Sequence, residues 1–427
     1  MPATSVKYFM ETITDANALY AAFRRSQQNS AWKPQVQRFE MNYLTELSKL
    51  QHELMDRTYK TSPATEFIIS ERGKTRPITG QHIRDRVVRH VLTDNVLEPA
   101  TRPYLIYDNG SSLKDRGVSF TRKRIVTHLR KYYARHGSND GYILLIDFSK
   151  YYDNIWHSVY FEQIAEHTDD EAALWLLGRI LADAEVDVSY MTDEEYERCM
   201  DTPFNSLEHR KIPPEKLTGE KFMAKSMDIG DQVSQNAGIY YPHQIDNYVK
   251  IVRGCKYYAR YMDDSYIIHE DKEFLKALLR DITEQAAAIG ITVNQRKTRI
   301  CKLSTMFRFL QIGYALTDTG RVIQKIHPKR ITAMRRKLKK LAVKYEAGQI
   351  PLPDIELMYQ SWMGGHYKIM SRAQRQGMND LYKQLFNKED NDGKELHGNT
   401  GRRDAAHRAR PEWEQFHLVE KSRSVDF

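Results

Sequence analysis

Two aspartates stand side by side at Asp263 and Asp264, in a segment whose flanking residues predict a hairpin turn. The residues before the pair, 255–259, and after it, 265–269, are typical of two short strands. Aspartate is tolerated in turns, so the pair could serve the turn alone. Neighbouring carboxylates repel each other, however, and a site that gathers several of them usually binds a hard cation. The segment therefore predicts either a plain turn or part of a metal site.

A third aspartate, Asp147, ends an uninterrupted apolar run at 142–146. Such a run predicts a strand that is buried on both faces. A carboxylate at the rim of a buried sheet is costly unless it is paired or bound to a metal. The alternative is that Asp147 caps a helix over 149–157. Taken alone, Asp147 favours the cap, and only its combination with the aspartate pair favours a metal site.

Together, a strand-ending aspartate and a Tyr-x-Asp-Asp hairpin about 115 residues later resemble the palm of reverse transcriptases. Further segments resemble that family's motifs in the family's order: a basic fingers segment at Arg72–Ile78, a loop-to-helix motif at Ile229–Gln235, a lysine-containing motif at Gly290–Thr298 and a primer-grip hairpin at Phe307–Tyr314. The resemblance covers residues 65–345. Where many intron-encoded and retroviral relatives carry Pro-Gln-Gly, this chain has a form ending in Ser234-Gln235. That form is closer to bacterial diversity-generating and phage-defence enzymes.

The resemblance implies an α+β right-hand polymerase with fingers, a palm built on an antiparallel sheet, and a helical thumb. We expect N-terminal helices and fingers over 1–140, a palm over 141–325, a thumb over 326–386 and a charged tail over 387–427. An acidic, weakly periodic stretch at 165–226 is expected to form an inserted lobe or a partly mobile loop. Local patterns predict helices over 11–60 and 81–98 and strands over 65–80. The leucines expected on one face of the first helical stretch are Leu44, Leu47, Leu50 and Leu54.

The resemblance also implies two Mg²⁺ ions, for which Mn²⁺ could substitute. Asp147 and Asp263 are the expected ligands of both ions, and the backbone of Phe148 is expected to contribute a further ligand. Asp264 is expected either to be a weaker ligand or to support the ligands from behind. Phosphoryl transfer needs such a metal pair to stabilise the attacking and leaving oxygens. The expected nucleotide-binding residues are Lys74, Arg76, Gln232 and Lys297, with Tyr152 as the ring that blocks a ribose 2′-hydroxyl. The alternatives are solvated surface cations and, for Tyr152, an ordinary core aromatic.

Residues 325–341 contain eight Lys or Arg and no acid. They predict a basic helix over 329–346, with one apolar face formed by Ile331, Met334, Leu338, Leu341 and Tyr345. The opposite face would present Arg335, Arg336, Lys339 and Lys340 to a nucleic-acid backbone, as in a thumb helix. Further basic residues lie at 114–131 and at Arg402, Arg403, Arg408 and Arg410.

The whole chain carries 65 Lys and Arg against 56 Asp and Glu, a net charge of +9, which favours polyanionic partners. We expect an RNA template in the form of a structured non-coding RNA, together with dNTPs and a DNA product. No apolar run is long enough to span a membrane, and the N-terminus lacks a secretory pattern. Three well-separated cysteines fit a reducing cytoplasm. The oligomeric state is not indicated.

The favoured hypothesis is therefore an RNA-directed DNA polymerase that copies a dedicated RNA in bacterial anti-phage defence. Only about 113 residues follow the primer-grip motif, so we expect no RNase H domain. The nearest alternative is the reverse transcriptase of a diversity-generating element. Two further alternatives are a catalytically idle RNA-binding scaffold, against which the intact aspartate set argues, and an RNA-templated RNA polymerase, against which the ring of Tyr152 argues.

Overall fold

The computed structural model describes residues 13–71 and 74–386. The helices of eight residues or more are α1 Ala16–Ser26, α2 Pro34–Met41, α3 Tyr43–Met55, α4 Ile83–Leu92, α5 Val118–His136, α6 His157–Ala165, α7 Glu171–Ala182, α8 Asp193–Asp201, α9 Gln232–Tyr240, α10 Lys272–Ala288, α11 Pro328–Glu346, α12 Leu352–His366 and α13 Arg372–Phe386. The strands are β1 Thr65–Glu71, β2 Lys74–Gly80, β3 Tyr142–Asp147, β4 Val186–Asp187, β5 Phe222–Met223, β6 Tyr258–Tyr261, β7 Asp264–His269, β8 Arg299–Lys302, β9 Phe307–Phe309, β10 Ile312–Leu316 and β11 Val322–Ile326. Helices and antiparallel sheets are thus combined, which confirms the predicted α+β class.

The central sheet has four antiparallel strands in the order β6-β7-β3-β8. One of its two inner strands, β3, is buried along nearly its whole length, as the uninterrupted apolar run predicts. A second sheet has three antiparallel strands in the order β11-β10-β9. The edge-to-face contact of Tyr266 in β7 with Phe309 in β9, at 5.0 Å between ring centres, joins the two sheets.

The N-terminal helices share the apolar core of the central sheet. The stretch predicted as helical over 11–60 is three helices, α1 to α3. Leu47, Leu50 and Leu54 are buried in that core, whereas Leu44 is 71% exposed, so the four leucines do not form one buried face. Leu44 lies in the first turn of α3, one turn before the first buried leucine. The strand prediction for 65–80 is confirmed by the β1–β2 hairpin.

The acidic stretch at 165–226 does not form one inserted lobe. Helix α7 packs its apolar side into the main core, because its sequence is strongly apolar on that side. A separate small core begins only at Val186 and includes Phe204 and Met223. This small lobe is ordered: β4 pairs with β5, and a capping box at Thr192 and Glu195 starts α8.

The chain divides into two compact units at His327 and Pro328, close to the boundary expected at 325 and 326. The second unit contains α11, α12 and α13. Helix α11 buries Ile331, Met334 and Leu338 as predicted. Tyr345, expected on the same face, is 37% exposed and meets the ring of Phe386 at its edge, while Ala342 takes the buried position. None of the helices in the described ranges is long and apolar enough to cross a membrane.

Candidate active site

Asp263 lies in a two-residue turn between β6 and β7, here named the carboxylate turn and formed by Met262 and Asp263. Tyr261 and Asp264 pair across it. Met262 has a φ of 52°, in the left-handed region that non-glycine residues seldom adopt. Two hydrogen bonds fix this conformation: the Met262 amide donates to Ser111 Oγ at 2.8 Å, and Arg260 Nη1 donates to the Met262 carbonyl at 3.1 Å.

The sheet register brings the third aspartate to the same place. Asp147, the last residue of β3, pairs directly with Asp264, the first residue of β7. The amide of Phe148 donates to the carbonyl of Asp263 at 3.1 Å, which ties the end of β3 to the carboxylate turn. Paired residues on adjacent antiparallel strands have Cα atoms about 4.5–5.5 Å apart. The predicted aspartates therefore share one end of the central sheet.

The side chain of Asp147 is held by a cation and an amide. Lys297 Nζ lies 2.7 Å from Oδ1 and 2.9 Å from Oδ2 of Asp147. Asn294 Nδ2 donates to Oδ1 at 2.9 Å. Partial burial lowers the pKa of Lys297, but the hydrogen bond and charge of Asp147, with smaller effects of Asp263 and Asp264, raise it above its ordinary value. Lys297 thus lies in the field of all three acids.

The loop that carries Lys297 starts at Gly290, where φ is +76°. A Cβ at Gly290 would meet the ring of Trp156 at 2.8 Å, so a side chain would push the loop away from the sheet. The loop then pairs with the end of β3: Asn294 N donates to the Asp147 carbonyl, and Ser149 N donates to the Thr292 carbonyl. These two bonds flank the bridge between Phe148 and Val293.

Metal binding can be judged from the donor atoms at this end of the sheet. Three aspartates and the backbone near Phe148 supply only oxygen, the donor that hard divalent cations prefer. In the part of the chain that the structure describes, however, no three His, Cys, Asp or Glu side chains form a group that could hold a metal ion. The chemistry of the donors therefore fits such an ion. In this structure the carboxylate oxygens of Asp147 are instead hydrogen-bonded to Lys297 and Asn294, and a metal ion would have to replace these bonds.

The ring of Tyr152 lies between the carboxylate turn and helix α9. Its hydroxyl is 3.9 Å from Met262 Sδ. On the other side is Gly238, where a Cβ would approach the ring carbon Cζ to 2.9 Å, so glycine is needed to admit the ring. Tyr151 meets the ring at its edge at 5.5 Å. Burial, followed by the charge of Asp263, raises the pKa of Tyr152, so its hydroxyl stays neutral.

Helix α9 begins at Gln232, as the loop-to-helix motif predicts. Asp231 caps it by accepting from Val233 N at 3.2 Å. Asp231 also forms an ion pair with Arg89 of α4, and both side chains are buried. Gln232 is half-buried and lines a cleft together with Thr79. The predicted contact residue therefore lies at a helix start that a buried ion pair anchors.

Sequence reasoning missed a second buried ion pair that supports the carboxylate turn. Arg260, fully buried in β6, donates from Nε to both carboxylate oxygens of Asp246, at 2.9 and 3.0 Å. It also donates from Nη2 to the carbonyl of Ile239 in α9 at 2.6 Å. Burial lowers the pKa of Arg260, and Asp246 more than offsets this, so the pKa is raised and the residue stays charged. A charged residue within an otherwise uncharged strand was the available signal, because such a charge must be paired when it is buried.

Four predicted cations belong to the second unit. Arg335, Arg336, Lys339 and Lys340 are exposed on α11, in the second unit. For two further predicted cations, Lys74 and Arg76, only the position in a strand is described. Lys74 and Arg76 belong to β2, with Arg76 opposite Ile69, but their side chains lie outside the described residues. The basic clusters at 402–410 also lie outside them.

The match to known proteins agrees with this geometry. The family model for reverse transcriptase (RNA-dependent DNA polymerase) matches residues 60–345, more than half of the chain. A search of curated proteins gives no significant match. The matched range contains both sheets and all three aspartates, and the family has the predicted right-hand polymerase fold. Polymerases of this family use divalent metals, an RNA template and dNTPs to make DNA. The chain therefore belongs to the reverse transcriptase family and is an RNA-directed DNA polymerase.

Proposed function

We propose that the chain copies RNA into DNA with two Mg²⁺ ions bound by Asp147, Asp263 and Asp264, assisted by the backbone carbonyl of Phe148. The observation that carries this proposal is the register that pairs Asp147 with Asp264 beside the carboxylate turn. When bound, two such ions would stabilise the attacking primer oxygen and the leaving pyrophosphate. The ion pair between Lys297 and Asp147 supports the assignment, since these oxygens already attract positive charge.

The surrounding side chains have separate roles in the proposal. Lys297 leaves Asp147 when the metals bind and neutralises charge on the triphosphate. Lys74 and Arg76 contact the same triphosphate from the fingers hairpin, and Gln232 contacts the nucleotide from the start of α9. Tyr152 excludes the ribose 2′-hydroxyl with its ring, which favours dNTPs over ribonucleotides.

Primer extension on an RNA template tests the activity directly. Purified protein should extend an oligo(dT) primer on poly(rA) with dTTP and Mg²⁺, and chelation should stop the reaction. Mn²⁺ in place of Mg²⁺ should restore extension. Absence of extension under all metal conditions, with folded protein that binds primer–template, would favour the idle RNA-binding scaffold.

We further propose that the template is a dedicated, structured non-coding RNA and that the enzyme serves bacterial defence against phage. The support is basic surface beyond the helix α11. Lys114, Lys123, Arg130 and Lys131 are exposed near or along α5, and folded RNA is bound largely through phosphate contacts. The Ser234-Gln235 form of the loop-to-helix motif adds an analogy with bacterial enzymes of this kind.

Sequencing of RNA and DNA that co-purify with the protein distinguishes the two biological alternatives. The chain would be expressed with its native flanking DNA and crosslinked before purification. One abundant short RNA, its complementary DNA and a requirement for both in phage resistance would support the defence role. Complementary DNA directed into a target gene, with dependence on an accessory protein, would instead support a diversity-generating element. A broad spread of cellular messages would contradict both.

A further inference from the structure

Two hairpin turns, one at the site and one in the three-stranded sheet, adopt strained backbone conformations. The first is the carboxylate turn with its left-handed Met262. The second, here named the grip turn, is Leu310 and Gln311 between β9 and β10, with φ values of 43° and 69°. Phe309 and Ile312 pair across it, so it is a two-residue hairpin with both residues left-handed. Such turns favour Asn and Gly, and other residues adopt them only where the surroundings hold them.

A single segment of the chain holds both turns. Ser111 Oγ accepts from the Met262 amide at 2.8 Å, and Arg122 Nη2 donates to the Leu310 carbonyl at 2.8 Å. The two residues are eleven positions apart: Ser111 lies in the loop before α5, and Arg122 lies in the second turn of α5 itself. Near Ser111, the loop lies along β6: Gly110 N donates to the Arg260 carbonyl at 2.9 Å.

The rest of α5 connects the same two sheets. On the side of the central sheet, Tyr266 of β7 bonds through its hydroxyl to His128 Nδ1 at 2.9 Å. On the side of the three-stranded sheet, Tyr133 Oη donates to the Asp318 carbonyl at 2.7 Å. Gly320 in the same turn, with φ of +77°, leaves room for the Tyr133 ring, which a Cβ would meet at 2.5 Å. Helix α5 therefore contacts both turns of the three-stranded sheet, through Arg122 and Tyr133. Between these two residues it contacts the central sheet, through His128.

We propose that Ser111 and Arg122 are positioning residues that set the grip turn relative to the carboxylate turn. The grip turn would hold the primer terminus, and the carboxylate turn would hold the metals. Nucleotide addition needs these two turns at a fixed separation, because a small misplacement of reacting atoms slows a reaction strongly. This proposal rests on the proposed function. It also assigns the half-buried Arg122 to a contact within the protein, rather than to the nucleic-acid contact that its basic neighbourhood suggests.

Substitution of Arg122 tests one end of this arrangement. The Arg122→Ala variant should add nucleotides at least about tenfold more slowly in single-turnover primer extension, because a partly buried hydrogen bond to the turn is lost. The Kd for primer–template, measured by fluorescence anisotropy, should stay within about twofold. Arg122→Lys should recover part of the rate, since an ammonium can donate to the same carbonyl. Arg280→Ala, which removes an exposed arginine of α10, is the matched control and should behave as the unmodified protein.

A glycine in the grip turn separates a local role from general packing. Glycine adopts the left-handed conformation without strain. Adding Gln311→Gly to Arg122→Ala should therefore recover part of the lost rate. If Arg122 were needed only for packing, the added glycine would recover none of it. At the other turn, Ser111→Ala should slow addition with unchanged primer–template affinity, and the neighbouring Ser112→Ala should not.

The outcomes can be told apart. If Arg122→Ala adds nucleotides at the normal rate, or if its loss is explained wholly by weaker primer–template binding, the positioning role is wrong. The second result would make Arg122 a phosphate contact. Melting temperatures show whether each variant folds, and Ser111→Ala, which removes one oxygen atom, remains informative if Arg122→Ala does not. A failure of the proposed function would give a different result: the variant with Asp263→Ala and Asp264→Ala would still extend the primer.

Discussion

At the scale of single residues, the carboxylates at the end of the central sheet oppose one another electrostatically and are held together by backbone pairing. Asp147 and Asp264 are neighbours because β3 and β7 pair, and Asp263 is fixed by the turn. Lys297 offsets part of the repulsion at Asp147. Removing carboxylates from such a site relieves repulsion, so the loss of function should not be accompanied by a loss of fold.

The first prediction follows from this balance. Asp263→Ala combined with Asp264→Ala should lower primer extension at least about a hundredfold, because the metals would lose ligands. The melting temperature should be unchanged or higher, since fewer negative charges remain near Asp147. Extension with all four dNTPs and a thermal denaturation curve are the measurements. Activity above about a tenth of the normal level would mean that these aspartates do not hold the catalytic metals.

The second prediction concerns the ring of Tyr152. Tyr152→Val should raise incorporation of ribonucleotides relative to deoxyribonucleotides, because the ring that fills the space between Met262 and Gly238 is lost. Tyr152→Phe keeps the ring and is the control; it should retain the original selectivity. The ratio of kcat/KM for dTTP and UTP on poly(rA) measures the effect. Unchanged selectivity in an active Tyr152→Val variant would identify Tyr152 as a packing residue.

At the scale of elements, patterns along the chain predicted where each helix or strand forms. They predicted less well which other elements it packs against. The β1–β2 hairpin, β3, the start of α9 and α11 all lie where periodicity and turn residues indicate. The extent of the inserted lobe was misjudged, because acidity at 165–171 says nothing about the apolar side of α7 that the main core covers. Two contacts near the site were not predictable: Ser111 and Arg122 bond to backbone atoms of residues far along the chain, and no sequence pattern records such contacts.

The third prediction tests helix α11 as a nucleic-acid contact. Reversing Arg335, Arg336, Lys339 and Lys340 to Glu should weaken primer–template binding and flatten its salt dependence. Each lost phosphate contact should reduce the slope of log K against log salt by about one. Reversing only Arg335 and Arg336 should have about half that effect, and reversing the exposed Lys272 and Arg280 of α10 is the two-charge control. An unchanged slope after all four reversals would show that α11 does not touch nucleic acid.

The fourth prediction concerns the small lobe and the buried Lys225, which is 1% exposed. Its Nζ donates to the carbonyls of Cys199, Met200 and Thr202 at the end of α8, at 3.2, 2.6 and 2.9 Å. Burial lowers its pKa from 10.5 to about 8, although nearby negative charge opposes this. Between these values the unfolded chain binds more protons than the folded one, so this residue makes the free energy of unfolding rise with pH.

Urea denaturation at about pH 7.5 and pH 9.5 measures that contribution. Lys225→Met should remove a rise in stability that the unmodified protein shows across this interval. The exposed Lys216 of the same lobe is the control, since Lys216→Met should leave the rise in place. Equal pH dependence in both variants would mean that Lys225 titrates near its ordinary value in the folded protein.

At the scale of the whole molecule, the chain divides into two units at His327 and Pro328. The first unit contains the aspartates, both sheets and helix α5. The second contains the basic helix α11. Under the proposed function, the first unit carries out each addition of a nucleotide, and the second prolongs the stay of the enzyme on its template.

This division has a consequence for processivity, the number of nucleotides added before the enzyme leaves its template. Charge on α11 should govern how far synthesis proceeds in one encounter, while the carboxylate turn and the grip turn govern the speed of each step. The two properties could then vary independently: a chain that gains or loses cations on α11 would make longer or shorter DNA at the same pace. An enzyme devoted to one short RNA would have little need for long products. A few substitutions on the exposed face of α11 would then suffice to adapt its processivity to a longer template.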